Sequence, residues 1–218
     1  MDILTERQKS FLKLFGGNAL AKQSYLTGGT ALAGFYLQHR YSEDLDFFSE
    51  NEVDALSVSA FLKSIQNKLG FVTMDSQQSY NRNLFFVHFK DGEILKTEFT
   101  YFPFLRIEKG KSVEGVELDS LVDIAVNKLF TVHQRSKARD YIDLYCLCTR
   151  KGFAIADLVA KARIKFDSPI DPLQLGTQFA KAEQAKDYPR MISDIKPAQW
   201  QDWFIQQANL LKKQILTE

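Results

Sequence analysis

The chain has 218 residues, of which 45% are hydrophobic and 25% are charged, as in an ordinary soluble globular protein. Its formal net charge of +1 gives no global field that would indicate a nucleic-acid or membrane partner. No apolar stretch approaches the length of a membrane span, and the N-terminal residues lack the apolar core of a signal peptide. The two cysteines, Cys146 and Cys148, lack zinc spacing and are expected to be buried thiols. These features predict a cytoplasmic protein without a membrane partner.

The first half of the chain combines two hydrophobic periodicities. Apolar residues at helical spacing predict helices over 4–15, 30–39 and 54–69, the last one ending at Gly70. Alternating apolar residues predict strands over 24–27, 44–49, 71–78, 83–90 and 93–102. Asp91-Gly92, between the last two strands, is a two-residue hairpin signal.

The second half is expected to be helical throughout. Its pattern predicts five helices, over 119–133, 137–149, 153–164, 172–186 and 197–216. The expected fold class is therefore α/β, with a small mixed sheet flanked by helices and followed by an all-helical C-terminal lobe. The expected domains are residues 1–112 and 113–218.

Two acids on one strand give the first candidate site. Asp44 and Asp46 are two residues apart, so in a strand they point to the same face, while Leu45 and Phe47 point into the core. Close carboxylates repel unless a cation neutralises them, and Mg²⁺ prefers such hard oxygen ligands. A metal site on Asp44 and Asp46 is one interpretation; a solvated strand face with two acids is the other.

A glycine-rich turn precedes these acids. Gly28, Gly29 and Thr30 lie between a predicted strand and a predicted helix. Glycines there allow a close approach of the backbone to a ligand, and the following helix offers free N–H groups to a phosphate. Thr30 can add a hydroxyl donor, or it can simply act as the N-cap. An ordinary glycine turn explains the same residues.

A third acid lies on a later strand. Lys96, Glu98 and Thr100 share one face of the segment 93–102. Beside the strand that carries Asp46, Glu98 would complete a set of three carboxylates, able to bind a metal or to deprotonate an attacking hydroxyl. Alternatively, Glu98 is an exposed acid on an edge strand, paired with Lys96.

The helical half contributes a lysine in an unusual position. At 100° per residue, Lys128 falls within the apolar stripe of its helix, between Ile124 and Val132. A lysine there is either paired or extends its amine to solvent along apolar neighbours. Asp140 and Asp143, three residues apart, share a helix face.

Arginines near these acids allow an interpretation in which the acids form surface ion pairs and have no catalytic role. Arg139, four residues before Asp143, can form a surface ion pair with it. Arg40, Arg135 and Arg139 can neutralise phosphate charge or can simply solvate the surface.

These motifs together resemble the nucleotidyltransferase superfamily, and most closely the AbiEii/AbiGii toxin family. The matching segments read LTGGTALAGFYL, RYSEDLDFF and LKTEFTY, followed by LDSLVDIAVNKLFTVHQRSKARDYIDLYCL. They span about residues 24–150. The chain departs from the pattern in two ways, since Glu98 replaces the commoner Asp and the spacing between Lys128 and the Arg139-Asp140 pair is short.

The resemblance implies a transfer of NMP from NTP, with Mg²⁺ or Mn²⁺, to a tRNA, another RNA or a protein. It implies metal binding by Asp44, Asp46 and Glu98, and catalytic roles for Lys128 and for Asp140 or Asp143, one of which could hold Lys128. Nucleotide binding is expected at Gly28, Gly29, Thr30, Arg40 and Ser42. A cognate antitoxin is the expected partner.

Other classes of function are weighed against this one. A non-catalytic module of the same fold, which binds a nucleotide or a partner for regulation, stays open as the alternative. The three histidines show no ligand spacing, and the chain has no G-x-S-x-G, no G-x-x-x-x-G-K-[ST] and no G-x-G-x-x-G. The sequence therefore favours neither a serine hydrolase nor a P-loop or dinucleotide enzyme.

Overall fold

The chain divides into two compact units in a computed structural model that describes residues 3–217 and the side chains of residues 3–212. The first unit comprises Met1–Tyr36 and Tyr41–Leu121, and the second comprises Leu37–Arg40 and Val122–Glu218. Within the described residues, no helix is long and apolar enough to span a membrane.

The first unit is built on a mixed sheet of seven strands. They are β1 (Tyr25–Thr27), β2 (Leu45–Ser49), β3 (Phe71–Ser79), β4 (Arg82–Phe89), β5 (Ile94–Tyr101), β6 (Ser112–Val113) and β7 (Val116–Leu118). Their order across the sheet is β3-β4-β5-β2-β1-β7-β6. The pairs β2–β5 and β1–β7 are parallel, and the other neighbouring pairs are antiparallel. All five predicted strands are present.

Helices of this unit are α1 (Glu6–Gly16), α2 (Gly28–Leu32) and α3 (Ala55–Leu69). A π-helical segment, Ala33–Leu37, continues α2, so the predicted helix over 30–39 exists but begins earlier. Helix α3 ends where the sequence predicts, because Gly70 adopts the left-handed conformation with φ of 79°. A short 3₁₀ helix, Ala19–Lys22, was not predicted.

An aromatic core joins α1 and α3 to one face of the sheet. The ring of Phe15 lies 4.5 Å from that of Phe47 and 5.6 Å from that of Phe99. Phe61 of α3 packs edge-on against Phe15, at 5.4 Å. Leu45 and Phe47 are almost fully buried, as the alternation along β2 predicts. The opposite face of β2 therefore remains for Asp44 and Asp46.

The β4–β5 hairpin is present, but its turn is longer than the two-residue turn predicted from Asp91-Gly92. Phe89 and Glu93 close the turn, since the Phe89 N–H donates to the Glu93 carbonyl at 2.9 Å. Gly92 has a φ of 87° and donates back to the Phe89 carbonyl. This is the three-residue loop in which glycine takes the left-handed position after a tight turn.

Helices form the second unit, as predicted. They are α4 (Leu121–Gln134), α5 (Ala138–Lys151), α6 (Ile155–Phe166), α7 (Pro172–Ala180) and α8 (Pro197–Thr217). Phe204 of α8 packs against Tyr141 of α5 and Phe179 of α7, with ring centroids 4.9 and 5.0 Å apart. Cys146 is buried and Cys148 half-buried, and neither forms a disulfide.

The division of the chain lies later than the boundary expected between residues 112 and 113. Strands β6 and β7 lie beyond it, and β7 pairs in parallel with β1, so these residues belong to the sheet. The division falls at Leu121–Val122, and the short segment Leu37–Arg40 joins the second unit. Two strands of two and three residues are too short to produce a periodic signal.

Candidate functional site

Three of the predicted carboxylates lie on one face of the sheet in the first unit. Asp46 of β2 is in register with Glu98 of the parallel strand β5 and with Thr27 of β1. Residues in register point to the same face, so Asp46 and Glu98 are neighbours there. Asp44 comes two residues before Asp46 and takes the same side. We call Asp44, Asp46 and Glu98 the carboxylate set.

Two cations pair with this set. Lys96 Nζ lies 2.9 Å from Asp44 Oδ2, and Arg82 donates to both oxygens of Glu98, at 2.6 Å each. Thr100 also donates its hydroxyl to Glu98, at 2.8 Å. The Arg82 side chain is about half exposed, at 49%, whereas that of Glu98 is 7% exposed. The sequence reasoning did not predict a role for Arg82.

The alternative prediction, that Glu98 is an exposed acid on an edge strand and pairs with Lys96, is wrong. Strand β5 lies between β4 and β2, so Glu98 is neither on an edge strand nor exposed. Lys96 pairs with Asp44 instead. Burial acts to raise the pKa of Glu98, but the hydrogen bonds from Arg82 and Thr100 hold that pKa below its ordinary value. Glu98 is therefore an ionised, buried carboxylate.

Gly28 brings the main chain against Asp46. Its φ is +68°, and a β-carbon added there would lie 2.8 Å from Asp46 Oδ2. Both the backbone conformation and the lack of a side chain are therefore needed. Gly29 follows, half-buried, in the first turn of α2. The glycine pair thus adjoins the carboxylate set.

Thr30 is placed differently from either expectation. The N-cap of α2 is Thr27, so Thr30 lies inside the helix, fully buried. Its hydroxyl donates to the main-chain carbonyl of Asp44. This hydrogen bond therefore fixes the backbone immediately before β2.

A second set of hydrogen bonds fixes the backbone before β2, and it was not predicted from the sequence. Gln8 of α1 donates its amide to the carbonyls of Ser42 and Glu43, at 3.0 Å each. Gln8 also completes a capping box with Thr5. The T-x-x-Q pattern of residues 5–8 signals the cap, whereas the contact with Ser42 spans 34 residues and leaves no local signal.

Oxygen chemistry of the carboxylate set suits a hard divalent ion. Because Gly28 has no side chain, Asp46 Oδ2 lies directly against the main chain at Gly28. Within the described residues, however, no three histidine, cysteine or acidic side chains are gathered as a metal centre. The donor types fit such an ion, and the pairing of Asp44 with Lys96 and of Glu98 with Arg82 is what the ion would have to replace.

The second unit contains the other predicted catalytic residues. Lys128 of α4 places its amine 2.8 Å from Asp140 and 2.6 Å from Asp143, both on α5. Only 10% of the Lys128 side chain is exposed, so the lysine does not extend its amine to solvent. Both acids therefore bind the Lys128 amine.

Asp143 also binds Arg40, for which the sequence left nucleotide binding and surface solvation open. Arg40 donates to both oxygens of Asp143, at 2.6 and 2.8 Å, and Asp143 is fully buried. His39 Nε2 lies 2.8 Å from the same carboxylate. The surface pair of Arg139 with Asp143 is therefore wrong, and Arg135 pairs with Asp140 instead, at 2.8 Å.

Ionisation of the two aspartates is secured by these cations. Burial acts to raise the pKa of Asp143, but Arg40 and Lys128 hold that pKa well below its ordinary value. The pKa of Asp140 is lowered in the same way, against its burial, by Lys128 and Arg135. The cluster of Arg40, Lys128, Asp140 and Asp143 is thus a buried ionic network.

Comparison with known proteins assigns the chain to a family. A family model described as the nucleotidyl transferase AbiEii toxin of a type IV toxin–antitoxin system matches residues 12–207. The chain belongs to this family. It is a nucleotidyltransferase, and the resemblance inferred from its motifs is confirmed.

Individual proteins that resemble this chain include one curated relative and two solved structures. The uncharacterized protein aq_aa25 of Aquifex aeolicus (strain VF5) is 28% identical over 197 residues, which make up 89% of each chain. MenT4, a nucleotidyltransferase toxin from Mycobacterium tuberculosis H37Rv, has a TM-score of 0.63 at 18% identity, covering 94% of this chain and 81% of its own. JHP933 from Helicobacter pylori has a TM-score of 0.61 at 20% identity, covering 97% and 91%. The two structures show the same fold, as the predicted fold class requires.

Proposed function

We propose that this chain transfers an NMP group from NTP to a tRNA, another RNA or a protein, in a reaction that requires Mg²⁺ or Mn²⁺. One observation carries this proposal: Asp46 and Glu98 lie in register on one sheet face, with the backbone of Gly28 against Asp46. Carboxylates and unhindered backbone are the groups that a metal–triphosphate complex requires.

Asp44, Asp46 and Glu98 would hold the divalent ions. When bound, such ions neutralise triphosphate charge and favour the loss of a proton by an attacking hydroxyl. Glu98 is ionised, so it can accept that proton once Arg82 no longer occupies both of its oxygens. Pyrophosphate leaves as the hydroxyl attacks the α-phosphate.

The remaining predicted residues have supporting roles in this proposal. Gly28 and Gly29 offer main-chain N–H groups to the triphosphate, and Thr30 keeps Asp44 in place through its carbonyl. Lys128 carries positive charge that opposes the charge developing on the phosphates. Asp140 and Asp143 hold the Lys128 amine at a fixed position, and Arg40 fixes Asp143.

A cellular role follows from the family. We propose that the protein is the toxin of a type IV toxin–antitoxin or phage-abortive system, with a cognate antitoxin as partner. NTP and tRNA are cytoplasmic substrates, so the cytoplasm is its proposed site of action.

One experiment tests the reaction and finds its substrates together. The protein is incubated with each of the four labelled NTPs, with Mg²⁺, total tRNA and cell extract, and the labelled products are separated into RNA and protein. We expect label in one macromolecular class with one preferred NTP. Nucleotide binding without any labelled product would support the non-catalytic module instead.

The metal site has its own test. Mn²⁺ together with the preferred NTP should raise the melting temperature of the wild type, because a ligand that binds only the folded state stabilises it by mass action. A ligand present at 100 times its Kd contributes about 2.7 kcal/mol. Asp46→Asn should abolish the rise. An equal rise in both proteins would contradict the assignment of Asp46.

A further inference from the structure

We propose that Lys96 and Arg82 are the counter-ions of the metal-free carboxylate set, that divalent metal displaces them, and that they then bind phosphate oxygens of the substrate. This inference rests on the metal site proposed above, and it adds Lys96 and Arg82 to the substrate-binding residues that the family resemblance implies.

Lys96 and Arg82 occupy carboxylate oxygens that a metal ion would also need. Lys96 takes Oδ2 of Asp44, and Arg82 takes both oxygens of Glu98. A divalent ion held by Asp44 and Glu98 would need these same oxygens as ligands. An ammonium or guanidinium group cannot stay at hydrogen-bond distance along the same direction, so ion and side chain exclude each other.

Charge is the reason for this pairing in the metal-free protein. Asp46 and Glu98 are in register and Asp44 lies two residues before Asp46, so the carboxylates share one face of the sheet. Lys96 and Arg82 each place a positive charge against this face, which offsets the repulsion between the acids. A divalent ion would offset the same repulsion in their place.

The side chains of Lys96 and Arg82 are free to move away from the acids. They are 28% and 49% exposed, so neither is locked into the core. Both lie on the sheet face of Glu98, because Lys96 is two residues before Glu98 in β5 and Arg82 pairs in register with Thr100, two residues after it. Once displaced, long flexible side chains of this kind remain beside the set and can reach anions bound there.

In the metal-bound state, Lys96 and Arg82 would contact phosphate oxygens instead of carboxylates. A metal–triphosphate complex brings several anionic oxygens to the carboxylate set. Arginine suits bidentate contact with phosphate, and lysine acts as a point charge. The same two residues thus act in both states, and no further conformational element is required.

The direct test measures whether the Lys96 amine becomes accessible. Lysines of the wild type are acetylated briefly with an N-hydroxysuccinimide ester, and each site is quantified by mass spectrometry, with and without Mn²⁺. Mn²⁺ binding is measured on the same sample by electron paramagnetic resonance. Lys109, which is 81% exposed, serves as the internal control. We expect the labelling of Lys96 to rise at least threefold with Mn²⁺, while that of Lys109 stays constant.

The phosphate step has a parallel measurement. Addition of α,β-methylene nucleotide analogues to the Mn²⁺-loaded protein should protect Lys96 again, because its amine then contacts the triphosphate. Lys96→Met and Arg82→Met should each bind Mn²⁺ about three- to tenfold more tightly, since metal no longer displaces a cation. Each should bind the Mn²⁺–nucleotide complex more weakly than the wild type. Arg7→Met removes another arginine that is paired with two acids, Asp91 and Glu93, and should change neither affinity.

The outcomes separate this inference from the proposed function. If Mn²⁺ binds and Asp46→Asn abolishes the binding, but Lys96 labelling does not change, the displacement is wrong and the metal site stands. If the two Met variants bind the nucleotide complex as tightly as the wild type, the phosphate role is wrong. If no Mn²⁺ binds with or without nucleotide, the metal site itself is wrong, and the inference fails with it.

Discussion

At the scale of single residues, Gly28 links backbone conformation to the acidic site. Its φ of +68° favours glycine, and a β-carbon would lie 2.8 Å from Asp46 Oδ2. We expect Gly28→Ala to lower the free energy of unfolding by about 1–2 kcal/mol for the left-handed conformation alone. The added methyl group should also displace Asp46, so the rate of nucleotidyl transfer should fall. Chemical denaturation and a transfer assay on one preparation measure the two effects.

Gly70 provides the matched control for this substitution. It has a φ of +79°, and a β-carbon added there would meet nothing within 4 Å. Gly70→Ala should therefore cost similar stability and leave transfer unchanged. If both variants lose stability and both keep full activity, the contact between Gly28 and Asp46 does not matter for catalysis.

At the scale of elements, the acids of α5 hold α4 through Lys128. Methionine there would fill the apolar stripe but remove the cation from two buried carboxylates. Arg40 and Arg135 remain to neutralise them, so we expect Lys128→Met to cost about 2–3 kcal/mol, somewhat less than the usual loss of a buried ion-pair partner. If Lys128 opposes phosphate charge, the transfer rate should also fall about 10²–10³-fold.

Lys165 separates the two effects. Its amine lies 2.6 Å from Asp123, and both side chains are fully buried. Lys165→Met should therefore lower the melting temperature at least as much as Lys128→Met, but should preserve the transfer rate at a temperature where both variants are folded. Equal rates in the two variants would remove Lys128 from the catalytic residues and leave it as a packing residue of α4 and α5.

The same cluster predicts how stability depends on pH. The pKa of Asp143 is lowered on folding, so its contribution is present above the ordinary pKa of an unfolded aspartate, about 3.9, and is lost as pH falls toward the folded pKa. Asp140 adds to this in the same direction. We expect the free energy of unfolding to decline steadily below about pH 5. In Asp143→Asn, the slope of that decline should be shallower, and an unchanged slope would contradict this role of Asp143.

Local signals predicted the elements well. Alternation along β2 placed Leu45 and Phe47 in the core, and Gly70 ended α3 as expected. The pieces that were missed are short, such as β6 and β7, or depend on the register of distant strands. Asp44 and Lys96, for example, are 52 residues apart, and only the β2–β5 pairing brings them together.

The sequence was less informative about which cation neutralises which acid. Helical spacing placed Asp140 and Asp143 on one helix face, and the family resemblance implied that one of them could hold Lys128; both acids contact it. Arg40 was expected at the nucleotide or at the surface, because nothing local indicates that it is buried against an acid 103 residues away. Spacing predicts which side chains share a face, whereas tertiary packing decides which cation neutralises which acid.

At the scale of the whole molecule, the predicted site residues are distributed between two compact units. The carboxylate set and the glycine pair belong to the first, and Lys128 with its two aspartates belongs to the second. In the substrate-free protein, the acids of each unit form ion pairs with lysine and arginine side chains of the same unit. Truncation to either unit should therefore remove transfer, because neither contains both groups of residues.

Family membership predicts a phenotype for the intact protein. An enzyme of a toxin family that modifies tRNA or another essential acceptor consumes that acceptor as it turns over. We therefore expect induced expression of the wild type in a bacterial host to arrest growth, measured as optical density and viable counts. The product of a neighbouring gene should relieve the arrest when it is co-expressed.

Asp46→Asn is the control that ties this phenotype to catalysis. The substitution keeps the size of the side chain and removes a carboxylate of the proposed metal site, so the variant should accumulate to the same level and leave growth unaffected. Arrest by both proteins would point to a toxic effect of the folded chain that does not depend on transfer. Harmless accumulation of a wild type that is active in the labelling assay would contradict the toxin role and leave the enzyme assignment in place.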